Sequence, residues 1–216
     1  MEEIMNIKVY SAIYGGYDEV KVQPLKSKPI LFTDGGNSDY WDVRVRQRPE
    51  QHPRMKAKYF KCNSHKLDCD ISIYIDGSGT MIGKDFVERC LEYLGDADML
   101  AFKHPDRDCI YAEAEFCHMF AKYIDVDIMG QVEKYRQQGW PEHAGLWACG
   151  LLVRRNNERV RKFNKLWWKH INKYTYQDQL SFPICVKESG VKLKTLELPL
   201  NDNRLIMFLT PHASIE

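Results

Sequence analysis

The run Ile71-Ser72-Ile73-Tyr74-Ile75 constrains this chain more than any other segment. It carries no charge, it is rich in β-branched residues, and it passes straight into Asp76-Gly77-Ser78-Gly79-Thr80, too glycine-rich to extend a strand. Asp76 therefore leaves the core where a sheet ends. Further strand-like runs fall at 7–13, 29–33, 41–46, 99–102, 146–153 and 191–198. Helical periodicity marks 53–62, 85–94, 110–123, 157–174 and 177–188, with one more helix before Gly139. In the 85–94 segment Phe86, Val87, Cys90, Leu91 and Leu94 share a face; in the 157–174 segment Val160, Phe163, Trp167 and Ile171 do. Pro53 suits a first turn, Pro183 limits one, and the tail from 201 reads as irregular. Alternating strands and helices predict an α/β fold with a mixed, mainly parallel central sheet flanked by helices. No repeat, low-complexity tract or linker divides residues 1–216, so a single domain is expected.

Charge removes some function classes. With 31 Lys and Arg against 30 Asp and Glu the net charge is +1, leaving no global field for nucleic acid or an acidic membrane. An anion must be held by local geometry. No apolar run reaches the length of a membrane span, and the acidic Met1-Glu2-Glu3-Ile4-Met5 start lacks a signal-peptide core. Seven scattered cysteines read as reduced core thiols, and the expected location is the cytoplasm.

Three strand ends collect the chemistry-bearing residues: 14–18, 34–37 and 76–80. In open α/β sheets the ligand crevice lies outside the carboxyl ends of the strands. Gly15 and Gly16 let a base or diphosphate approach the backbone, although Gly-Gly also makes a plain tight turn. Asp76 is placed to hold Mg²⁺ or Mn²⁺, hard cations that prefer oxygen, or to cap its own loop as an Asx turn. His104 can ligate a metal or bind a sugar and Arg107 can neutralise phosphate; Asp106 and Asp108 read as solvated charges. Glu113 and Glu115 point to different faces, so at most one meets the cleft. Arg54, Lys58 and Lys61 form a basic stripe, which is either a solvated face or the border of a diphosphate site. Asp178 opens a helix, as its N-cap or as a sugar contact, and only one of Trp167 and Trp168 can face the core fully. Cys62-x-x-His65-x-x-x-Cys69 has no second ligand pair at zinc spacing and reads as coincidence. No nucleophile elbow, Walker loop or kinase motif set is present.

Taken in order, these segments resemble the TOD/MUCI glycosyltransferase-like family. The likeness runs through Val9 to Asp18, Phe32-Thr33-Asp34, the 54–61 helix and Tyr74-Ile75-Asp76-Gly77. It continues through His104-Pro105-x-Arg107-x-Cys109-Ile110-Tyr111-x-Glu113-Ala114, Gly145-Leu146-Trp147, Arg154-Arg155-Asn156, Trp167-Trp168 and Asp178-Gln179-Leu180-Ser181-Phe182. The resemblance implies a GT-A-like domain, with a nucleotide-binding half over about 1–103 and an acceptor and sugar half over about 104–216. By likeness to retaining GT-A enzymes, Tyr14 and Asp34 meet the base or ribose and Asp178 meets the sugar. Gly15, Gly16, Arg54, Lys58, Asp76 and Ser78 complete the nucleotide set, and His104, Arg107 and Glu113 line the sugar side. One departure stands out: Asp76-Gly77-Ser78 occupies the place of an Asp-x-Asp metal motif. Either His212 supplies a second metal ligand beside Asp76, or cationic side chains cover the diphosphate without a metal. The expected activity is transfer of a hexose-type unit from a nucleotide diphosphate sugar, a UDP-sugar, to a glycan or other hydroxyl acceptor. A hydrolase or nucleotidyltransferase on the same fold, and a non-catalytic nucleotide- or carbohydrate-binding module, are the alternatives.

Overall fold

The computed structural model describes residues 5–50, 52–200 and 202–208. Its elements run β1 (Ile7–Ile13), β2 (Ile30–Thr33), β3 (Asp42–Val45), α1 (Pro53–Cys62), β4 (Ile71–Ile75), β5 (Gly79–Met81), α2 (Phe86–Leu94) and β6 (Met99–Lys103). There follow α3 (Ile110–His118), α4 (Ile128–Gln137), β7 (Trp147–Arg155), α5 (Glu158–Lys173), α6 (Asp178–Ser189), β8 (Leu193–Leu196) and β9 (Ile206–Phe208). Seven strands form one sheet in the order β3-β2-β1-β4-β7-β6-β8. β1 pairs parallel with β2 and β4, β2 with β3, and β6 with β8; β7 runs antiparallel to both of its neighbours. This is the mixed, mainly parallel α/β sheet that the alternation of segments predicts. No described helix is long and apolar enough to cross a membrane.

The two faces of the sheet follow the period of the strands. Val9 and Ile13 of β1, the three isoleucines of β4, and Leu100 and Phe102 of β6 pack with Phe86, Cys90 and Leu94 of α2. The intervening Tyr10, Ala12, Tyr74, Met99 and Ala101 pack with Val160, Phe163, Trp167 and Ile171 of α5 and with Phe182 and Cys185 of α6. Burial on both faces is the reason these strands read as unbroken apolar runs. A third core joins α3, α4 and α6 through Ile110, Ala114, Val132, Tyr135, Leu180 and Ile184. Trp167 is fully buried and Trp168 only half-buried, as adjacent positions on one helix require. All seven cysteines are unpaired and buried.

Three local expectations change. Gly79 and Thr80 do form a strand: β5 pairs antiparallel with β9, inside the stretch expected to be irregular. This pairing joins segments distant in sequence, so no local pattern announces it. The 110–123 helix ends at His118, because Phe120 adopts extended backbone angles before a separate 3-10 turn, Ala121–Tyr123. Pro183 lies inside α6, which begins at Asp178.

Asp98, buried just before β6, ties three elements together. It accepts from Arg159 Nε at 2.6 Å, Asn157 Nδ2 at 2.7 Å and the Lys192 backbone at 2.8 Å. The Arg159 hydrogen bond, opposed by burial, holds its pKa down at about 2. Asp98→Ala is expected to destabilise the protein by about 2 kcal/mol, read by urea denaturation, because three donors, the half-exposed Arg159 among them, lose a shared buried and charged acceptor. A loss below about 1 kcal/mol would show that these donors find other partners.

Candidate functional site

The loops after β1, β2 and β4 emerge at the same edge because these strands are parallel neighbours. From β1 the chain steps outward to β2 and β3, then returns through α1 to β4 on the other side of β1. That reversal opens the crevice expected at a topological switch point. Two glycines let its walls close up. Gly15 has φ +64°, and a Cβ there would sit 2.7 Å from Pro53 at the start of α1. A Cβ on Gly77 would sit 2.7 Å from both Asp18 Oδ2 and Ile13 Cγ1. Asp34 Oδ2 accepts from the Gly15 backbone at 2.9 Å, joining the first two loops, and Gly16 stays exposed beside it. The Ser78 carbonyl accepts from Lys21 Nζ at 2.5 Å. Tyr14 offers the crevice only its backbone, since its ring is buried against Phe60 and its hydroxyl donates to the Arg46 carbonyl at 2.9 Å.

At the centre lies a lysine between two aspartates. Spacing of i, i+4 and i+7 puts Arg54, Lys58 and Lys61 on one face of α1. Lys61, 1% exposed, places Nζ 3.0 Å from Asp76 Oδ1 and 2.7 Å from Asp178 Oδ2. Lys58 Nζ reaches the same Asp178 oxygen at 2.6 Å, and Tyr74 donates to Asp76 Oδ1 at 2.8 Å. Asp178 is not the N-cap of α6: Gln177 holds that place without a side-chain bond, and the Asp178 carboxylate turns to the two ammonium groups instead. Its carbonyl accepts from Trp167 Nε1 at 3.0 Å. Burial pushes the Asp178 pKa up, but Lys58 and Lys61 outweigh it and hold the group at about 2. Burial likewise opposes the charge on Lys61, yet Asp178 and Asp76 prevail and its pKa is raised.

A second buried carboxylate, Glu113, organises the sugar-side candidates. It accepts from Arg107 Nε at 2.6 Å, Gln177 Nε2 at 3.0 Å and Cys117 Sγ at 3.2 Å. His104 Nδ1 accepts from the backbones of Asp106 and Arg107 at 3.2 and 3.1 Å, so its ring proton sits on Nε2, which lies 3.6 Å from Glu113. Burial lowers the His104 pKa, against the pull of Glu113. Glu115, on the other side of α3, is exposed. Nδ1 of His104 is thus committed inside the protein. The trio His104, Arg107 and Glu113 anchors the loop after β6 to α3 and forms one wall, joined through Gln177 to Asp178.

The donor set was weighed against a divalent cation, which takes several oxygen ligands. Both oxygens of Asp76 already face Lys61 Nζ, at 3.0 and 3.3 Å, and Asp178 is held by two ammonium groups. Among the described residues no three or more His, Cys, Asp or Glu side chains converge to hold a metal. The described residues therefore do not fit a metal at Asp76; His212 lies outside them. Of the Cys62, His65 and Cys69 trio, Cys62 packs in the α5-side core while the His65 ring contacts Asn164.

The TOD1/MUCI70 glycosyltransferase-like domain matches residues 13–210 of the chain. The chain belongs to that family. No curated protein matches it in sequence. In three dimensions, where 147 solved chains match, it is similar to the apo structure of WbbM, a bifunctional glycosyltransferase, with a TM-score of 0.50 and 12% identity. The match covers 93% of this chain and 40% of the WbbM chain, so this chain spans well under half of that protein. Identity this low carries the fold alone.

Within this TOD1/MUCI70 domain the structure gathers Asp76, Lys58 and Asp178 at one point, and Arg107, His104 and Glu113 at a second joined to it by Gln177. Gly15, Gly16, Asp34 and Ser78 fall at the shared strand edge. The residue that sequence reasoning undervalued is Lys61, left as a third member of a stripe open to solvation. Its i+7 spacing from Arg54 was the signal, but only the placement of Asp178 opposite α1 shows why it is buried. Gln177, whose amide reaches Glu113, carried no signal beyond its place beside Asp178.

Proposed function

We propose that this TOD1/MUCI70 domain transfers a sugar from a nucleotide diphosphate sugar, a UDP-sugar, to the hydroxyl of a glycan or other acceptor. The observation that carries this reading is the Lys61 ammonium held between Asp76 and Asp178, with Lys58 beside it, at the carboxyl end of β4. In such a transfer the bond from the anomeric carbon to the diphosphate oxygen breaks and its electron pair leaves with the diphosphate. The acceptor oxygen forms the new bond and its proton is lost to solvent. Fixed cations at the place where negative charge develops stabilise the transition state without reorganising. In this reading the elements before residue 103 hold the nucleotide, with Gly15, Gly16 and Asp34 at the nucleoside and Ser78 and Asp76 nearer the diphosphate. The elements after 104 supply Asp178 and the His104, Arg107 and Glu113 wall to the sugar and acceptor.

Asp76→Asn is the direct test. Asp76 is about one-third exposed and Lys61 keeps Asp178 as partner, so the variant is expected to fold normally. Turnover should fall by about 100-fold or more, because Asp76 no longer fixes the Lys61 ammonium where negative charge develops. A fully active, normally folded variant sinks the assignment of Asp76. Product analysis of the wild type separates the reaction classes: free sugar without an acceptor points to hydrolysis, and released pyrophosphate to nucleotidyl transfer.

A further inference from the structure

Two cations at the rim of the crevice take part in no ion pair among the described residues, unlike Lys58 and Lys61 beside them. The Arg54 guanidinium lies 4.5 Å from the Tyr17 ring centre and 5.8 Å from that of Tyr176. Lys122 Nζ lies 4.9 Å from the Tyr123 ring and 5.5 Å from the Phe120 ring. These rings form a continuous row: Tyr17 stacks on His52 at 6.3 Å, His52 on Tyr176 at 4.8 Å, and Tyr176 meets Tyr123 at 5.9 Å. The row is pinned beside Asp178. Tyr176 donates to the Lys122 carbonyl at 2.6 Å, and Tyr123 donates to Gln177 Oε1 at 3.1 Å. Aromatic faces hold cations in place without neutralising them, so both charges stay available. Asp125 acts on His52 and Tyr176 but pairs with neither cation. Burial first, then Arg54 and Lys58, push the Lys122 pKa down, against a smaller opposing pull from Cys117 and Glu113. Close by, the oxygens of Asp76 that a metal would need are already given to Lys61.

We infer that Arg54, Lys58 and Lys122 clamp the diphosphate of the nucleotide, so that the protein binds it without a divalent ion. The inference rests on the nucleotide-sugar reading above and deepens it: the charge that a metal would supply comes from side chains of α1 and the 121–123 turn. Lys58 balances Asp178 and reaches the diphosphate from the inside; Arg54 and Lys122 close from the rim.

Isothermal titration with UDP, GDP, CDP, ADP, uridine and inorganic pyrophosphate, in EDTA and then in Mn²⁺, tests it on the wild type, Arg54→Gln and Lys122→Ala. Both substitutions are at the rim, and circular dichroism and melting check that the variants fold. At least one nucleoside diphosphate and pyrophosphate are expected to bind in EDTA, with Mn²⁺ changing Kd by less than about threefold. Each variant should weaken both ligands by about tenfold, the loss of one charge-assisted contact, and leave any nucleoside binding unchanged. Nucleoside diphosphate binding that requires Mn²⁺, or that is the same in both variants as in the wild type, overturns the clamp and leaves the transferase reading standing. No binding of any diphosphate or of pyrophosphate, with or without Mn²⁺, overturns both.

Discussion

Lys61→Met is expected to lower the stability of the protein by about 3–5 kcal/mol, the cost of breaking a buried ion pair by removing one partner. Methionine keeps most of the buried stem's volume, so the loss reports charge and not a cavity. In the wild type, Lys61 lies 2.7 Å from Asp178 and 3.0 Å from Asp76, and its side chain is 1% exposed. Without it, Asp178 keeps only Lys58, while Asp76 keeps Tyr74. Urea denaturation reads the effect, and for a chain of this size the midpoint should move by roughly 1–2 M. The double variant Lys61→Met with Asp178→Asn should recover part of the loss, since the excess negative charge left around Lys58 is then gone too. A single variant as stable as the wild type would show that Asp178 does not need Lys61, and would remove the keystone of the site. Turnover should fall with stability, and assays at a temperature where the variant is fully folded separate the two effects.

The second large effect is a change in the acid limb of the stability curve on replacing Asp178 by Asn. In the folded protein the Asp178 pKa is lowered from 3.8 to about 2. A carboxylate with a depressed folded pKa contributes stability that is complete above its unfolded pKa, near 4, and lost as pH falls through the folded value near 2. That contribution is about 2 kcal/mol, by the free energy of the pKa difference. Asp178→Asn removes it at every pH, so the variant should be less stable at pH 6 and should lose less on going from pH 5 to pH 2. Asp98, whose pKa is also about 2, titrates in the same window and keeps the variant's acid limb from becoming flat. Urea midpoints at pH 6, 4, 3 and 2 measure this. Parallel curves for the two proteins would mean that Asp178 is not the charged partner of Lys58 and Lys61. The same variant should lose turnover by about 100-fold or more, because both ammonium groups lose the acceptor that positions them.

Much of this was legible in the residues because it rests on short-range periodicity. The alternating faces of β1 and β4, the inward stripes of α2 and α5, and the abrupt end of β4 at Asp76 all follow from backbone geometry repeated over a few residues. The family was legible too, because its motifs are ordered along the chain from β1 to α6. The candidate site was legible only in outline. Asp76, Asp178, Arg54 and Lys58 stood out as polar residues at element ends or on one helical face, yet nothing local told which of them would meet. Of the two roles open to Asp178, the N-cap gave way to two lysines on a distant helix, since charge-assisted bonds outweigh a cap.

The residues alone carry the class of fold, the faces of most elements, the strand-end position of Asp76 and membership of the family. It takes the assembled fold to bury Lys61 between two aspartates, to draw His104, Arg107 and Gln177 around Glu113, to pair β5 with β9, and to set Arg54 and Lys122 on one aromatic row. The reason is physical. Propensity and periodicity act between residues a few positions apart, whereas a salt bridge or a stacked row forms between segments that crossovers and core packing bring together. The free energy that selects those partners is set by desolvation inside the assembled fold.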